Sequence, residues 1–103
     1  MRVVVTGACG RLGRAVVGAL QEQQIDVVSV DKDAGRDNQC RCRLADLADL
    51  GQVYGMLAGA DAVIHLAAIP SPRVHAPDVV FRNNVLAQFN VFEAAATLGI
   101  RRV

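Results

Sequence analysis

Thr6-Gly7-Ala8-Cys9-Gly10-Arg11-Leu12-Gly13 follows directly on the apolar run Val3-Val4-Val5 and leads into a stretch of helical period, so three glycines fall where a strand turns into a helix. Each glycine has a mechanical role at that junction. Gly7 lets the chain reverse tightly, Gly10 omits the Cβ that would obstruct a pyrophosphate, and Gly13 lets the helix pack close to the strand. The helix start then offers free backbone N–H groups and the positive end of its dipole to an anion. Such a turn cradles phosphate. Glycines near a start methionine also serve ordinary loops, and it is the flanking strand and helix that set this stretch apart.

Asp31 supplies the second half of the signal. It closes the run Asp26-Val27-Val28-Ser29-Val30 at the distance expected for the second strand of a βαβ unit. A carboxylate there accepts hydrogen bonds from both ribose hydroxyls of the adenosine half of NAD and repels the 2′-phosphate of NADP. The plain alternative is a solvated turn residue in Asp31-Lys32-Asp33. Lys32 and Arg36 are cations able to hold a 2′-phosphate, so NAD is the expected cofactor and NADP the less favoured one.

Further along, apolar runs of strand length alternate with longer segments of helical period, the pattern of a parallel sheet with crossover helices. A strand is expected near residues 2–6 and a helix near 11–23, with Leu12, Val16, Ala19, Leu20 and Gln23 on one face and Ala15 and Gly18 small enough for close packing. A second strand covers about 26–30, and the polar segment 32–39 reads as a loop. A short strand near 40–44 leads to Asp46, the expected N-cap of a helix through about 57. Ala62-Val63-Ile64-His65-Leu66 is the next buried strand, and Pro70, Pro72 and Pro77 keep the following loop out of regular structure. A long helix from about 78 to 98 stops at Gly99, and residues 100–103 look like a fifth strand just begun. Phe81, Phe89 and Phe92, at helical spacing, are expected in the core.

Length and composition bound the function. One hundred and three residues suffice for one small domain, 1–103, and little more. Eleven basic residues against ten acidic give a net charge of +1, which points to no nucleic-acid partner. No apolar run is long enough for a bilayer and no cleavable signal pattern opens the chain, so no membrane association is expected and the cytoplasm is the expected location. Three cysteines make no disulfide framework, and all three are read as reduced thiols. Cys40-Arg41-Cys42 lacks a second ligand pair and the two histidines lie far along the chain, so no metal site is expected. Cys9, close to a helix N-terminus, is either a thiolate-prone residue or a small buried filler.

Taken in order, these segments resemble the NAD-dependent epimerase/dehydratase group of the extended short-chain dehydrogenase/reductase superfamily. The glycine turn looks like that family's TGxxGxxG, and Asp31 matches its ribose-binding acid. Asp46-Leu47 resembles the pair that holds the adenine, and His65-Leu66-Ala67-Ala68 matches the HxAA segment beside the cofactor. Residues 84–95, Asn84-Val85-Leu86-Ala87-Gln88-Phe89-Asn90-Val91-Phe92-Glu93-Ala94-Ala95, are similar to the family's NVxGTxNLLEAA helix, with Ala87 and Gln88 replacing Gly and Thr. The resemblance implies an α/β, Rossmann-type doubly wound parallel sheet of order 3-2-1-4-5, truncated at the start of the fifth strand. It implies cofactor contacts from Gly7, Gly10, Arg11, Leu12, Gly13, Asp31, Asp46, Leu47, Leu66, Ala67, Ala68, Ile69 and Asn84, with Asn84 toward the nicotinamide and the segment Ile69-Pro70-Ser71-Pro72 on the substrate side. In the parent protein it implies a sugar or nucleotide-sugar substrate and a homodimer.

Members of this family use a Ser or Thr on the fifth strand and a Tyr-x-x-x-Lys pair on the next helix. Here the single tyrosine, Tyr54, is followed four residues later by Ala58 and lies on a different helix. His65 is read as a hydrogen-bonded structural residue and His75 as solvated. No catalytic residue is therefore assigned, and the chain alone is expected to be inactive and marginally folded. Three readings follow: the N-terminal part of an NAD-dependent epimerase, dehydratase or sugar dehydrogenase; a stand-alone NAD(P)-binding or regulatory module; and a decayed remnant. The first is preferred, because an independent domain would not end in mid-strand.

Overall fold

The structure is a computed structural model that describes residues 1–71, 73 and 75–103. Pro72, one of the three prolines expected to shape its loop and part of the expected substrate-side segment, lies outside the described residues. The elements run in the order β1 (Arg2–Thr6), α1 (Arg11–Glu22), β2 (Asp26–Asp31), β3 (Arg43–Leu44), α2 (Leu50–Leu57), β4 (Ala62–His65) and α3 (Pro77–Thr97).

Three consecutive valines make β1 the centre of the sheet. Their β-branched side chains favour extended backbone, and a strand apolar on both faces belongs where both faces are covered. The four strands are parallel in the order β3-β2-β1-β4. Val3 lies opposite Val27 of β2 and Ala62 of β4, and Thr6 opposite Val30 and His65. The alternation of side chains then divides the core. Val3, Val5 and Ala8 pack with Val16, Val17 and Leu20 of α1 on one face. On the other, Val4, Val30 and Val63 pack with Val53 and Leu57 of α2 and Val91, Ala94 and Ala95 of α3. Helices on both faces make this a doubly wound α/β sheet of Rossmann type. Among the described residues, no helix is long and apolar enough to cross a membrane.

α3 ends in a Schellman turn: Gly99 adopts φ +74°, its N–H donates to Ala96, and the Ile100 N–H donates back to the Ala95 carbonyl at 2.8 Å. Beyond it Arg102 bridges in parallel to Ala62, and its carbonyl accepts from the Val63 N–H at 2.9 Å. The outer edge of β4 thus begins a fourth pairing, with a fifth strand, in keeping with the order 3-2-1-4-5.

Several expectations need correction. The helix expected from Asp46 begins at Leu50 with Asp49 as its N-cap, whose Oδ1 accepts from the Gln52 N–H at 3.3 Å. Asp46 instead closes a local turn, accepting from the Ala48 N–H at 3.0 Å. The cause is the sheet, which still holds Ala45 through its N–H to the Asp31 carbonyl. α1 turns Gly13, Val16, Val17 and Leu20 inward, while Leu12, Ala19 and Gln23 are exposed, because the close approach of Gly13 to β1 sets its rotation. Phe81, Phe89 and Phe92 are 70%, 57% and 50% exposed. The inner face of α3 is made of Ala87, Asn90, Val91, Ala94 and Ala95, small enough for close helix-to-sheet packing.

Candidate functional site

The site grows from the C-terminal ends of β1, β2 and β4, where a doubly wound sheet leaves a crevice. β1 ends in Thr6, and Gly7 then turns the chain at φ +68°. A Cβ on Gly7 would come within 2.7 Å of the Ala67 backbone nitrogen, so only glycine lets the turn lie against the end of β4. A Cβ on Gly13 would overlap the Gly7 carbonyl oxygen, which is why α1 can seat against the turn. Gly10 is exposed, and the nearest atom to a Cβ there would be the Gly7 oxygen at 3.4 Å. That side of the turn is open.

Gly10 is also the N-cap of α1, with no side-chain cap and no acidic residue in the first turn. The first-turn N–H groups of Arg11, Leu12 and Gly13 precede the intrahelical ladder, which opens with Arg14 N–H to the Gly10 carbonyl at 3.0 Å. The side chains of Arg11 and Leu12 are exposed. An anion-facing helix end is the result.

Asp31, at the end of β2, is half-buried beside this turn. Its Oδ2 accepts from the Cys9 N–H at 2.9 Å and its Oδ1 from the Lys32 N–H at 2.7 Å. Each oxygen keeps capacity for a further donor, so the carboxylate is fixed without being used up. Next to it, Lys32, Leu44, Ala45, Asp46, Gln52 and Asn83 border an open pocket of about 320 Å³. Asp46 is exposed on its rim, with its N–H donating to Gln52 Oε1 at 2.8 Å. Leu47 is half-buried against the core.

The other wall of the crevice is built by the end of β4 and by α3. Leu66 and Ala67 are half-buried and Ala68 exposed. Asn84 grips the backbone of Ile69 at both of its polar atoms: the Ile69 N–H donates to Asn84 Oδ1 at 2.8 Å, and Asn84 Nδ2 donates to the Ile69 carbonyl at 3.2 Å. Its amide holds the loop in place. Gly7, Gly10, Arg11, Leu12, Gly13 and Asp31 thus gather around the turn after β1, with Asp46 and Leu47 beside the pocket, Leu66 and Ala67 against the Gly7 side of the turn, and Ile69 beyond them held by Asn84.

Two residues escaped the sequence reading. Thr6, 1% exposed, ties β1 to β4: its hydroxyl accepts from the Leu66 N–H at 3.1 Å and the Ala67 N–H at 3.3 Å and lies 2.7 Å from His65 Nδ1. Asn90, 3% exposed, donates to the Leu47 carbonyl at 2.8 Å and so holds the pocket segment against α3. A polar residue inside an otherwise apolar helical face was the available signal for Asn90.

The cysteines also need correction. Cys9 and Cys40 are joined in a disulfide, with Cα atoms 5.6 Å apart, and Cys42 is the free thiol. While the disulfide stands, Cys9 carries no thiol to ionise, so it is neither the reduced thiol expected nor a free thiolate. A sequence separation of 31 hides their proximity. Because β1 and β2 are parallel neighbours, the turn after one lies beside the loop after the other.

Comparison with known proteins adds to this geometry. The model of the NAD-dependent epimerase/dehydratase family matches residues 3–103. An L-arabinose 1-dehydrogenase (NAD(P)(+)) of Haloferax volcanii is 34% identical over 99% of the chain and 39% of its own length. A uronate dehydrogenase of Agrobacterium fabrum is also 34% identical, over 99% of the chain and 38% of its length. Among solved structures, MoeE5 in complex with UDP-glucose and NAD superposes with a TM-score of 0.86 at 33% identity, covering all of this chain and 35% of that one. The chain therefore spans under two fifths of the curated relatives it matches.

Proposed function

The chain belongs to the NAD-dependent epimerase/dehydratase family, and from that premise we propose that it forms the N-terminal, NAD-binding part of a sugar dehydrogenase, epimerase or dehydratase. The observation that carries the reading is the pairing of two anchors at one end of the crevice: the uncapped start of α1 behind Gly10, and the fixed carboxylate of Asp31.

The residues present fit the cofactor. The open side of Gly10 leaves room for a pyrophosphate, which the first-turn N–H groups of Arg11, Leu12 and Gly13 would hold. Asp31 would accept from the ribose hydroxyls, and Asp46 and Leu47 would bound the adenine at the neighbouring pocket. Leu66, Ala67, Ala68 and Ile69, held by Asn84, would flank the nicotinamide half. When bound, NAD supplies the hydride acceptor and donor of the reaction.

Residues 1–103 contain no Tyr-x-x-x-Lys pair, and in this reading that pair and its Ser or Thr partner, which such enzymes use for proton transfer, would come from elsewhere in the parent protein. A sugar or nucleotide-sugar substrate is supported by relatives that are uronate and arabinose dehydrogenases and by a neighbour that holds UDP-glucose. NAD is favoured over NADP because the Asp31 carboxylate would repel a 2′-phosphate.

The test is a calorimetric titration of NAD and NADP into the protein encoded by the complete reading frame. Gly10→Val should abolish binding of both by filling the open side of the turn. Asp31→Ala should weaken NAD more than NADP, since each charge-assisted bond lost is worth roughly 1.5–3 kcal/mol. Equal weakening would remove Asp31 from the ribose site. A protein that binds NAD tightly but transforms no sugar would instead be a stand-alone binding module.

A further inference from the structure

All three cysteines of the chain converge on one spot beside the phosphate turn. The Sγ atoms of Cys9, Cys40 and Cys42 lie within 4.8 Å of one another, and Cys9 and Cys40 are bonded. Cys9 is buried, whereas Cys40 is only half-buried.

The surroundings give this cluster its meaning. The segment from Asp31 to Cys40 is closed at both ends on a single residue: the Asp31 carboxylate accepts the Cys9 N–H at 2.9 Å, and Cys40 is joined to Cys9 by the disulfide. Two further contacts seat the loop on the same residue. Arg14 donates from Nε to the Cys9 carbonyl at 3.1 Å and from its two terminal nitrogens to Asp37 at 3.3 and 2.8 Å. Gly35, at φ +82°, approaches so closely that a Cβ there would lie 3.3 Å from the Cys9 oxygen. The hydrogen bonds and the ion pair are exposed or only partly buried, so water competes for them and their hold is weak. The covalent tie dominates.

We propose that Cys9 and Cys40 form a redox-modification site that latches the loop beside the ribose carboxylate, the disulfide strengthening NAD binding and its reduction weakening it. The inference rests on the cofactor reading above. The physical basis is preorganisation. Asp31 and the Cys9 N–H that positions it lie at the root of the closed loop, and a loop already ordered by a covalent bond loses less entropy when the cofactor binds. Linkage makes the effect reciprocal: bound NAD must stabilise the disulfide against reduction by the same factor.

Reduction needs a thiol of the glutathione class. Its thiolate attacks the sulfur of Cys40, the less buried residue of the pair, the Cys9–Cys40 bond breaks, and Cys9 leaves as a thiolate beside the positive end of α1. A second thiolate attacks the small-thiol sulfur of the mixed disulfide, and the Cys40 sulfur leaves as a thiolate while the small-molecule disulfide is released. With two protons taken up, the sum is one protein disulfide and two small thiolates converted to two protein thiols and one small-molecule disulfide. Cys42 stays outside this exchange. Burial, with the nearby charges of Asp31 and Asp33, pushes its pKa up and keeps it a protonated, poorly nucleophilic thiol.

The experiment uses the complete protein, oxidised or treated with dithiothreitol, and measures NAD affinity together with the rate of tryptic cleavage after Arg36 and Arg41. Reduction should weaken NAD by about fivefold or more, the lower end of typical coupling between sites, and should speed cleavage in the loop. Reoxidation should restore both, which separates the latch from a folding defect. Cys40→Ser should behave as the reduced protein in either buffer, and Cys42→Ser as the wild type. Equal NAD affinity in the two redox states would overturn the latch and leave the cofactor reading standing. Absence of NAD binding in both states would remove the cofactor reading and the coupling with it. Loss of the redox response in Cys42→Ser would assign the switch to another sulfur pair and overturn the proposal as stated.

Discussion

Thr6 has one hydroxyl proton, and its neighbours decide where it goes. The Leu66 and Ala67 N–H groups both point at its oxygen, an arrangement that is satisfied when the hydroxyl donates to His65 Nδ1 and the imidazole carries its own hydrogen on Nε2. Burial pushes the His65 pKa below the ordinary histidine value, which favours the same neutral ring. The sign of the pH effect follows. An unfolded histidine titrates near about 6.5, the folded one lower, so between the two values the unfolded chain binds more protons. The stabilisation is complete above the unfolded value and is lost as the pH falls toward the folded one. Urea midpoints should therefore drop as the pH falls below about 6.5, and by less in His65→Asn. An equal drop in both proteins would exclude His65 as the source. The reading of His65 as a structural, hydrogen-bonded residue at a strand end agrees with this geometry; the partner, Thr6, could not be read from a chain in which the two lie 59 residues apart.

At the scale of the element, α2 separates what sequence reveals from what it hides. Its existence and its end near Leu57 were legible from periodicity, but Asp46 and Asp49 are equally good caps by composition. The choice falls to Asp49 because β2 holds the chain as far as Ala45, leaving too little room for a helix to start at once. Asp49→Ala should cost about 0.5–2 kcal/mol of stability, while Asp46→Ala, which removes only a local turn contact, should cost less. Urea unfolding of the two variants checks the order, and a reversed order would restore Asp46 as the cap. α3 shows the same division. Periodicity located the helix within a residue at either end, yet it could not say which of its apolar faces meets the sheet. Close packing selects the small side chains of Ala87, Ala94 and Ala95 and leaves the phenylalanines outside. In the same way the glycine turn and Asp31 were legible because their spacing is local to one βαβ unit, whereas the Cys9–Cys40 pairing and the grip of Asn90 on Leu47 exist only after the sheet has formed.

Considered as one molecule, the structure carries an apolar stripe of Val85, Phe89 and Phe92 exposed along α3. Contiguous apolar surface of this kind mediates contact with other protein. The 103-residue chain should therefore show concentration-dependent sedimentation, and Phe89→Ser with Phe92→Ser should reduce it without altering the fold seen by circular dichroism. Sedimentation unchanged by the double substitution would place the contact elsewhere. The position of β1 has a consequence of another kind, in time. It is central in space, yet the strand that covers its second edge comes late in the chain, with Thr6 waiting for a partner 59 residues further on. At a synthesis rate of about 5–20 residues per second, that is a delay of roughly 3–12 s. Through it the three valines of β1 can pair on one side only, and their unsatisfied edge is open to any extended segment nearby. The feature that anchors the finished sheet is the one most in need of protection while the chain is being made.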